Sequence, residues 1–177
     1  MERSLISLRG TAAGAGDLAG RLVFVLGILA SVVLSAVSGG VALAFSAFIL
    51  PALHAMPDPE AVEVMQQATR EVPASFVLVL LGTAVSPAVL VAADVIRRGW
   101  RACPWLAIGT VAYALGVVGA TLGGTMPLNE WLHTLDSATL HSDAWLGYAT
   151  AWGGFNNVRI LGAAVASALL TIAMLRR

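Results

Sequence analysis

The sequence has no lysine, one cysteine and few charged residues of any kind. Charged residues make up 11% of its 177 residues, whereas a soluble domain carries roughly 25%. A water-soluble globule of this length would lack the charge to cover its surface, and disorder is excluded more firmly still. Ten arginines balance ten acidic residues, so neither a basic nucleic-acid surface nor an acidic tail is available. With Cys103 alone, an internal disulfide and a Cys-based metal cluster are excluded.

What the sequence has instead is long uncharged stretches, and hydrophobic residues make up 58% of it. A membrane-spanning helix needs about 20 apolar residues. The uncharged stretch after Arg159 has only 16 residues, but residues 144–158 are also uncharged, so the last helix can begin before Arg159. The sequence therefore predicts an integral membrane protein. The four charge-free windows have 36, 22, 28 and 16 residues and follow Arg21, Glu71, Arg101 and Arg159.

The predicted fold is an all-α, integral membrane four-helix antiparallel bundle with two helical outer loops, forming a single four-span domain over residues 1–177. Loops exposed to lipid would leave backbone groups unpaired, so the spans should be helices. Mostly short links favour antiparallel neighbours. Residues 1–20, rich in glycine and alanine, are expected to form a flexible cytoplasmic lead. The spans are predicted at residues 22–50, 73–96, 104–126 and 156–175.

The placement of arginine predicts the orientation. With both termini cytoplasmic, eight of the ten arginines lie on that side, and only Arg70 and Arg159 lie opposite. This agrees with the excess of basic residues in cytoplasmic loops. We therefore expect a multi-pass protein of the cell membrane, with the lipid bilayer as its surroundings. The apolar stretch after Arg21 exceeds the roughly 7–15-residue core of a signal peptide, so the first span should be retained.

Small residues recur every four positions in two of the spans. They are Ala36, Gly40 and Ala44 in the first span, and Gly119 and Gly123 in the third. Such spacing lets helix backbones approach closely where lipid provides no hydrophobic drive between helices. It predicts close packing of the bundle at these positions.

The first outer loop contains a segment with helical periodicity, and the second contains a series of aromatic side chains at helical spacing. Residues 59–70 fit a short amphipathic helix. Further on, His141, Trp145, Tyr148 and Trp152 fall at i, i+4, i+7 and i+11, so they would share one helix face. The stripe is either an aromatic belt at the membrane surface or a wall for a flat aromatic ligand.

Two polar residues open the fourth span. Asn156 is either a helix cap or part of a site. Arg159 either snorkels to the membrane surface or pairs inside the mouth of the bundle with an outer glutamate. The candidate partners are Glu63, Glu71 and Glu130.

Three short motifs occur in order and on the same predicted side of the membrane. The first span ends in FSAFILPALH, from Phe45 to His54, and the third ends in Pro127-Leu128-Asn129. The fourth opens with Trp152-x-x-x-Asn156-x-x-Arg159. Together, over residues 22–175, they resemble the anthrone-oxygenase-like membrane family.

The resemblance implies oxidation of an anthrone to an anthraquinone by molecular oxygen, with no flavin, haem or metal as cofactor. The substrate would be an apolar aromatic small molecule, bound at the non-cytoplasmic mouth. On this hypothesis His133 or His54 is the base, and three polar residues stabilise the developing oxyanion. Those three are Arg159, Asn129 and Asn156. The flat rings would stack on the aromatic substrate-binding group of Trp131, Trp145, Tyr148 and Trp152.

Two other classes of protein remain open from the sequence. One is a non-catalytic bundle that binds a lipid, a quinone or a partner membrane protein. The other is a metal or haem redox protein that uses His54, His133 and outer carboxylates. Assembly into a homo-oligomer is compatible with all three hypotheses, and a nucleic-acid partner with none.

Overall fold

A computed structural model of the chain describes residues 2–71, 74–100, 104–139 and 142–176. Throughout these ranges the regular structure is helical and no strand is present. Four helical stretches are long and apolar enough to cross a membrane, so the predicted all-α membrane bundle is confirmed. The α-helices are α1 (Glu2–Ala44), α2 (Leu50–His54), α3 (Asp58–Arg70), α4 (Ala74–Arg98), α5 (Pro104–Tyr113), α6 (Met126–Leu132) and α7 (Ser142–Leu175).

Wide π-helical turns join some of these helices into continuous rods. One turn, Phe45–Ile49, links α1 to α2, and within it the backbone N–H of Leu50 donates to the carbonyl of Phe45. Two further turns, Ala114–Gly119 and Thr121–Thr125, link α5 to α6. Such turns are rare and often lie at functional sites.

Three of the predicted spans, the first, third and fourth, are clearly longer in the structure than expected. The third continues to Leu132, and Pro127 stands in the first turn of α6, directly after the wide turn Thr121–Thr125. The fourth begins at Ser142 rather than 156, since residues 144–158 contain neither charge nor proline. The second outer loop is accordingly short. Helix α1 also begins at Glu2, so it includes most of the segment expected as a lead.

The first outer loop contains the predicted amphipathic helix, α3, which begins after Pro57. Val62 and Met65 are fully buried against α2, α6 and α7. We call the end of the bundle that carries α2, α3 and α6 the outer end, in line with the predicted topology. The hydrophobic cluster that α3 forms with α2, α6 and α7 closes the outer end of the bundle.

Residue pairs along the bundle confirm that neighbouring helices are antiparallel. Ile28 of α1 shares a core cluster with Leu106 and Leu170 at one end. At the outer end, Phe45 lies against Trp152, with ring centroids 5.5 Å apart. Helix α7 therefore runs opposite to α1, and it packs mainly on α1 and α5.

The backbones of α7 and of the π-helical turn after α5 approach each other closely. A Cβ added to Gly116 would stand 2.6 Å from the Cα of Gly162, a distance that real Cβ atoms do not show. At Gly40 and Gly123 an added Cβ would meet nothing within 4 Å. The predicted small-residue register is therefore wrong at these two positions, because the repeat alone does not say which helix face meets a neighbour.

Candidate functional site

One buried face of α7 carries most of the candidate residues. Its members follow one another at i, i+3, i+7, i+11 and i+14, which is a single face of a helix. All are between 0% and 8% exposed. His141, which the sequence placed on the same face, lies outside the described residues. The members of this face are Trp145, Tyr148, Trp152, Asn156 and Arg159.

Asn129 joins the aromatic part of this face to α6. Its Oδ1 accepts hydrogen bonds from the hydroxyl of Tyr148 at 2.9 Å and from Nε1 of Trp152 at 3.1 Å. Both lone pairs of the amide oxygen are therefore in use, and any bond to a ligand would come from Nδ2. The ring of Tyr148 also stacks between Trp131 and Trp145, at centroid distances of 6.4 and 5.8 Å.

Asn156 joins the polar part of the face to α1. Its Nδ2 donates to the carbonyl of Ala42 at 2.6 Å and to Oγ of Ser46 at 2.8 Å. Ser46 lies in the wide turn that follows α1. Because both amide hydrogens are used, Asn156 positions its neighbours in this arrangement rather than donating to a ligand.

Of the five residues, Arg159 lies furthest along α7 from the outer end of the bundle. It is 8% exposed, and its Nη1 donates to Oδ1 of Asn156 at 3.3 Å. Its Nε is buried and has no hydrogen-bond partner among the described residues. No carboxylate in the described part of the chain forms an ion pair with it. A cation held in the hydrocarbon region without compensation costs at least about 2.5 kcal/mol.

Both sequence-based expectations for Arg159 differ from the structure. Burial to 8% excludes snorkelling to the surface. The glutamates considered as partners are exposed and face elsewhere: Glu63 accepts from Ser137 at 2.6 Å, and Glu71 accepts from Gln67 at 3.4 Å.

His133 is turned toward α3. Its Nδ1 accepts from Nε of Arg70 at 3.3 Å, and its Nε2 lies 3.1 Å from Oγ1 of Thr69. The Thr69 hydroxyl donates to the carbonyl of Met65 at 2.9 Å, so it accepts from Nε2–H of the imidazole. Both ring nitrogens are thus engaged, and the imidazole fastens the end of α6 to α3.

His54 has the arrangement of a base. Its Nδ1 is 2.7 Å from the carbonyl of Leu50 and must donate to it, which leaves the lone pair on Nε2. The ring is exposed at the outer end, with its centroid 5.9 Å from that of Trp145. From Trp145 to Arg159 is 14 residues, or about 21 Å of helical rise. The structure therefore places His54 and Arg159 at different depths.

Two features were missed by the sequence reasoning. Ser46 received no role, although it stands inside the FSAFILPALH stretch, because a π-helical turn leaves no readable signal. The indole Nε1 of Trp145 is buried and has no partner in the described part of the structure. Both residues lie along the same face of the bundle as the candidate site.

The described residues at the outer end offer few ligands for a metal ion. Glu130 and His133 have the Glu-x-x-His spacing of metal-binding bundles, but the imidazole nitrogens are engaged by α3. Across the described ranges, no group of three or more His, Cys, Asp or Glu side chains is placed to hold an ion.

The fold and the site together define a class: a four-helix membrane protein whose fourth helix presents buried rings, an amide and an uncompensated arginine to the inside of the bundle. Within that class, the chain matches the family model described as Anthrone oxygenase over residues 64–169. This is more than half of the chain, so the protein belongs to the anthrone oxygenase family and the resemblance is confirmed. The match contains Asn129, Asn156 and Arg159, and it leaves out the first span with His54. No curated protein and no solved structure matches the chain.

Proposed function

We propose that the protein oxidises an apolar aromatic small molecule of the anthrone type with molecular oxygen, without a bound cofactor, inside the outer half of the bundle. The observation that supports this most directly is Arg159. A buried guanidinium without a carboxylate partner suits an anionic oxygen of a substrate. Family membership supplies the substrate class.

The reaction suits a protein that has only electrostatics and shape to offer. An anthrone has a CH₂ group between two aromatic rings, and loss of one proton gives an anion whose charge lies largely on the carbonyl oxygen. This electron-rich anion adds O₂ at the carbon, and the resulting peroxide anion is protonated. Loss of the second C–H proton with departure of hydroxide gives the new carbonyl. One oxygen atom thus enters the quinone and the other leaves as water.

In this proposal Arg159 stabilises the anion, and Asn156 positions Arg159. Preorganised donors in a water-poor site are effective because they need not reorganise during the reaction. Trp152 and Tyr148, fixed by their bonds to Asn129, form the wall on which the rings stack.

His54 is the proposed base. Its Nε2 has the free lone pair that a base needs, whereas the nitrogens of His133 are both bonded. Trp145, which lies beside His54, is about 21 Å in helical rise from Arg159, so His54 and Arg159 act in sequence. His54 takes the proton as the substrate enters, and Arg159 holds the anion once it has moved inward.

The test is oxygen uptake and quinone formation by the purified protein in lipid nanodiscs. An anthrone is supplied, and spontaneous oxidation is subtracted with empty nanodiscs. We expect turnover by the wild type and a 10²–10³-fold loss in Arg159→Leu, the usual effect of losing one oxyanion donor. Arg176→Leu, at the far end of α7, is the matched control and should keep its activity. A wild type no faster than empty nanodiscs overturns the proposed function. An unchanged rate in a folded Arg159→Leu removes that residue from it.

The separation of His54 from Arg159 favours one second candidate, a protein that binds an apolar aromatic anion without reacting it. Among the described residues, neither histidine is bonded to Arg159. This candidate predicts saturable binding of a hydroxylated aromatic ligand that Arg159→Leu weakens, with no oxygen uptake. Equilibrium dialysis beside the oxygen measurement separates the two.

A further inference from the structure

A cleft of about 670 Å³ opens between α1 and α4 at the end of the bundle opposite the candidate site. It contains both charged and apolar side chains, and none of them belongs to the proposed reaction. Its lining consists of Asp17, Gly20, Arg21, Phe24, Val25, Asp94, Arg97 and Arg98.

The charges of the cleft leave one positive charge over. Arg21 Nε lies 3.2 Å from a carboxylate oxygen of Asp17, and Arg98 Nε donates to Asp94 at 2.8 Å. The third guanidinium, Arg97, is exposed on the same wall. Among the described residues that line the cleft, three arginines and two aspartates give a net charge of plus one. A single phosphodiester, which carries one negative charge, would neutralise the cleft.

We propose that this cleft binds the phosphodiester headgroup of an anionic membrane lipid. Arginine suits this role because its planar guanidinium offers two parallel donors to phosphate oxygens. Basic pockets between membrane helices on the cytoplasmic side commonly hold lipid headgroups. The predicted topology places the cleft on that side.

The surroundings of the cleft favour a lipid over free phosphate. Phe24 and Val25 supply an apolar inner wall beside the charges. Leu18 and Leu22, which directly follow Asp17 and Arg21 in the sequence, are 60% and 54% exposed, as lipid-facing residues are. An acyl chain would therefore have apolar surface to follow away from the headgroup.

The proposal can be tested by replacing Gly20 with a larger residue that fills the cleft. Gly20 lines the cleft, and a Cβ added there would meet nothing within 4 Å, so a leucine is the substitution chosen to fill it. Leucine is also a better helix former than glycine. Gly40 lies in the same helix and is equally unobstructed, so Gly40→Leu is the matched control. For the charge, Arg97→Gln is matched by Arg176→Gln, which removes an arginine from the same end of the bundle but outside the cleft.

The experiment measures thermal unfolding of the full chain in detergent. Dioleoylphosphatidylglycerol or dioleoylphosphatidylcholine is added at equal mole fraction, or inorganic phosphate at ten times the lipid concentration. We expect the phosphatidylglycerol to raise the Tm more than the other two additives do, because only a ligand of the folded state shifts it. Gly20→Leu and Arg97→Gln should each lose most of that increase in Tm, because their apparent affinity for the lipid should be at least tenfold weaker. Gly40→Leu and Arg176→Gln should keep it.

Three results would overturn the proposal. Equal shifts with both lipids would show that the headgroup charge is not recognised. An equal shift with inorganic phosphate would identify a simple anion site. A full increment in Gly20→Leu would show that the lipid binds elsewhere on the protein. The Tm of each variant without added lipid establishes that it is folded, and oxygen uptake plays no part in this measurement.

Discussion

Asn156 holds Arg159 from one turn away on the same helix: its Oδ1 accepts the Nη1 hydrogen of the guanidinium at 3.3 Å, while its Nδ2 is bonded to α1. One amide thus fixes both the position of the cation and the contact between the first and fourth spans. The arrangement explains why an uncompensated arginine can be oriented inside the bundle although no acidic partner is present among the described residues. It also makes Asn156 a residue that acts through Arg159.

The first prediction concerns the stability of this contact. Asn156→Ala removes the side-chain donor to the carbonyl of Ala42 and to Oγ of Ser46, and we expect the free energy of unfolding to fall by about 1–3 kcal/mol. The measurement is denaturant-induced unfolding in mixed micelles. Asn157→Ala is the matched control, because the neighbouring side chain is exposed and has a single long bond, 3.3 Å, to Ser46. Equal losses in the two variants would contradict the structural role of Asn156.

A second prediction tests the link between Asn129 and the aromatic wall. Tyr148→Phe removes one of the two donors to the Asn129 oxygen. In a double-mutant cycle with Asn129→Ala, we expect a coupling of about 0.5–1.5 kcal/mol. Tyr113→Phe is the control, because its hydroxyl bonds to Ser38 instead. Coupling between Tyr113 and Asn129 as large as that between Tyr148 and Asn129 would show that the effect is not local.

The third prediction distinguishes the two glycine positions of the third span. Gly116→Ala places a methyl group against the backbone of Gly162 and forces the two helices apart. We expect the free energy of unfolding to fall by about 1–3 kcal/mol. Gly123→Ala meets open space and should be neutral or slightly stabilising. Thermal unfolding of the two variants side by side is the measurement. If Gly123→Ala proves the more damaging, the helix register described above is incorrect.

Much of the fold could be predicted from the sequence because a bilayer permits few alternatives. Uncharged stretches of sufficient length must be helices there, and the helical period of residues 59–70 predicted the amphipathic helix α3. The helix ends could not be predicted from charge alone. The sequence predicts a fourth span that begins at residue 156 and carries Arg159 in its outer turns, whereas helix α7 begins at Ser142 and buries that arginine about midway along its length.

The candidate site was predicted as a set of residues but not as a geometry. The spacing of Trp145, Tyr148 and Trp152 gave their common face, and the structure extends that face to Arg159. The direction of His133 depends on Thr69 and Arg70, which are 64 and 63 residues away in the sequence. Pairings over such distances leave no trace in local periodicity. The role of Ser46 depends in turn on a wide helical turn that residue propensities do not encode.

The last prediction separates the proposed base from the proposed anion site by pH. His54→Gln removes the lone pair that would accept the substrate proton, so we expect slow turnover near neutral pH. At alkaline pH hydroxide ionises the anthrone in solution, the base is no longer needed, and the rate of His54→Gln should approach that of the wild type. Arg159→Leu should stay slow at every pH, because the ionised substrate still finds no cation inside the bundle. The measurement is oxygen uptake over a pH series, with empty nanodiscs subtracted at each pH. Rescue of both variants by alkali would show that Arg159 serves only to remove the proton, and rescue of neither would show that His54 is not the base.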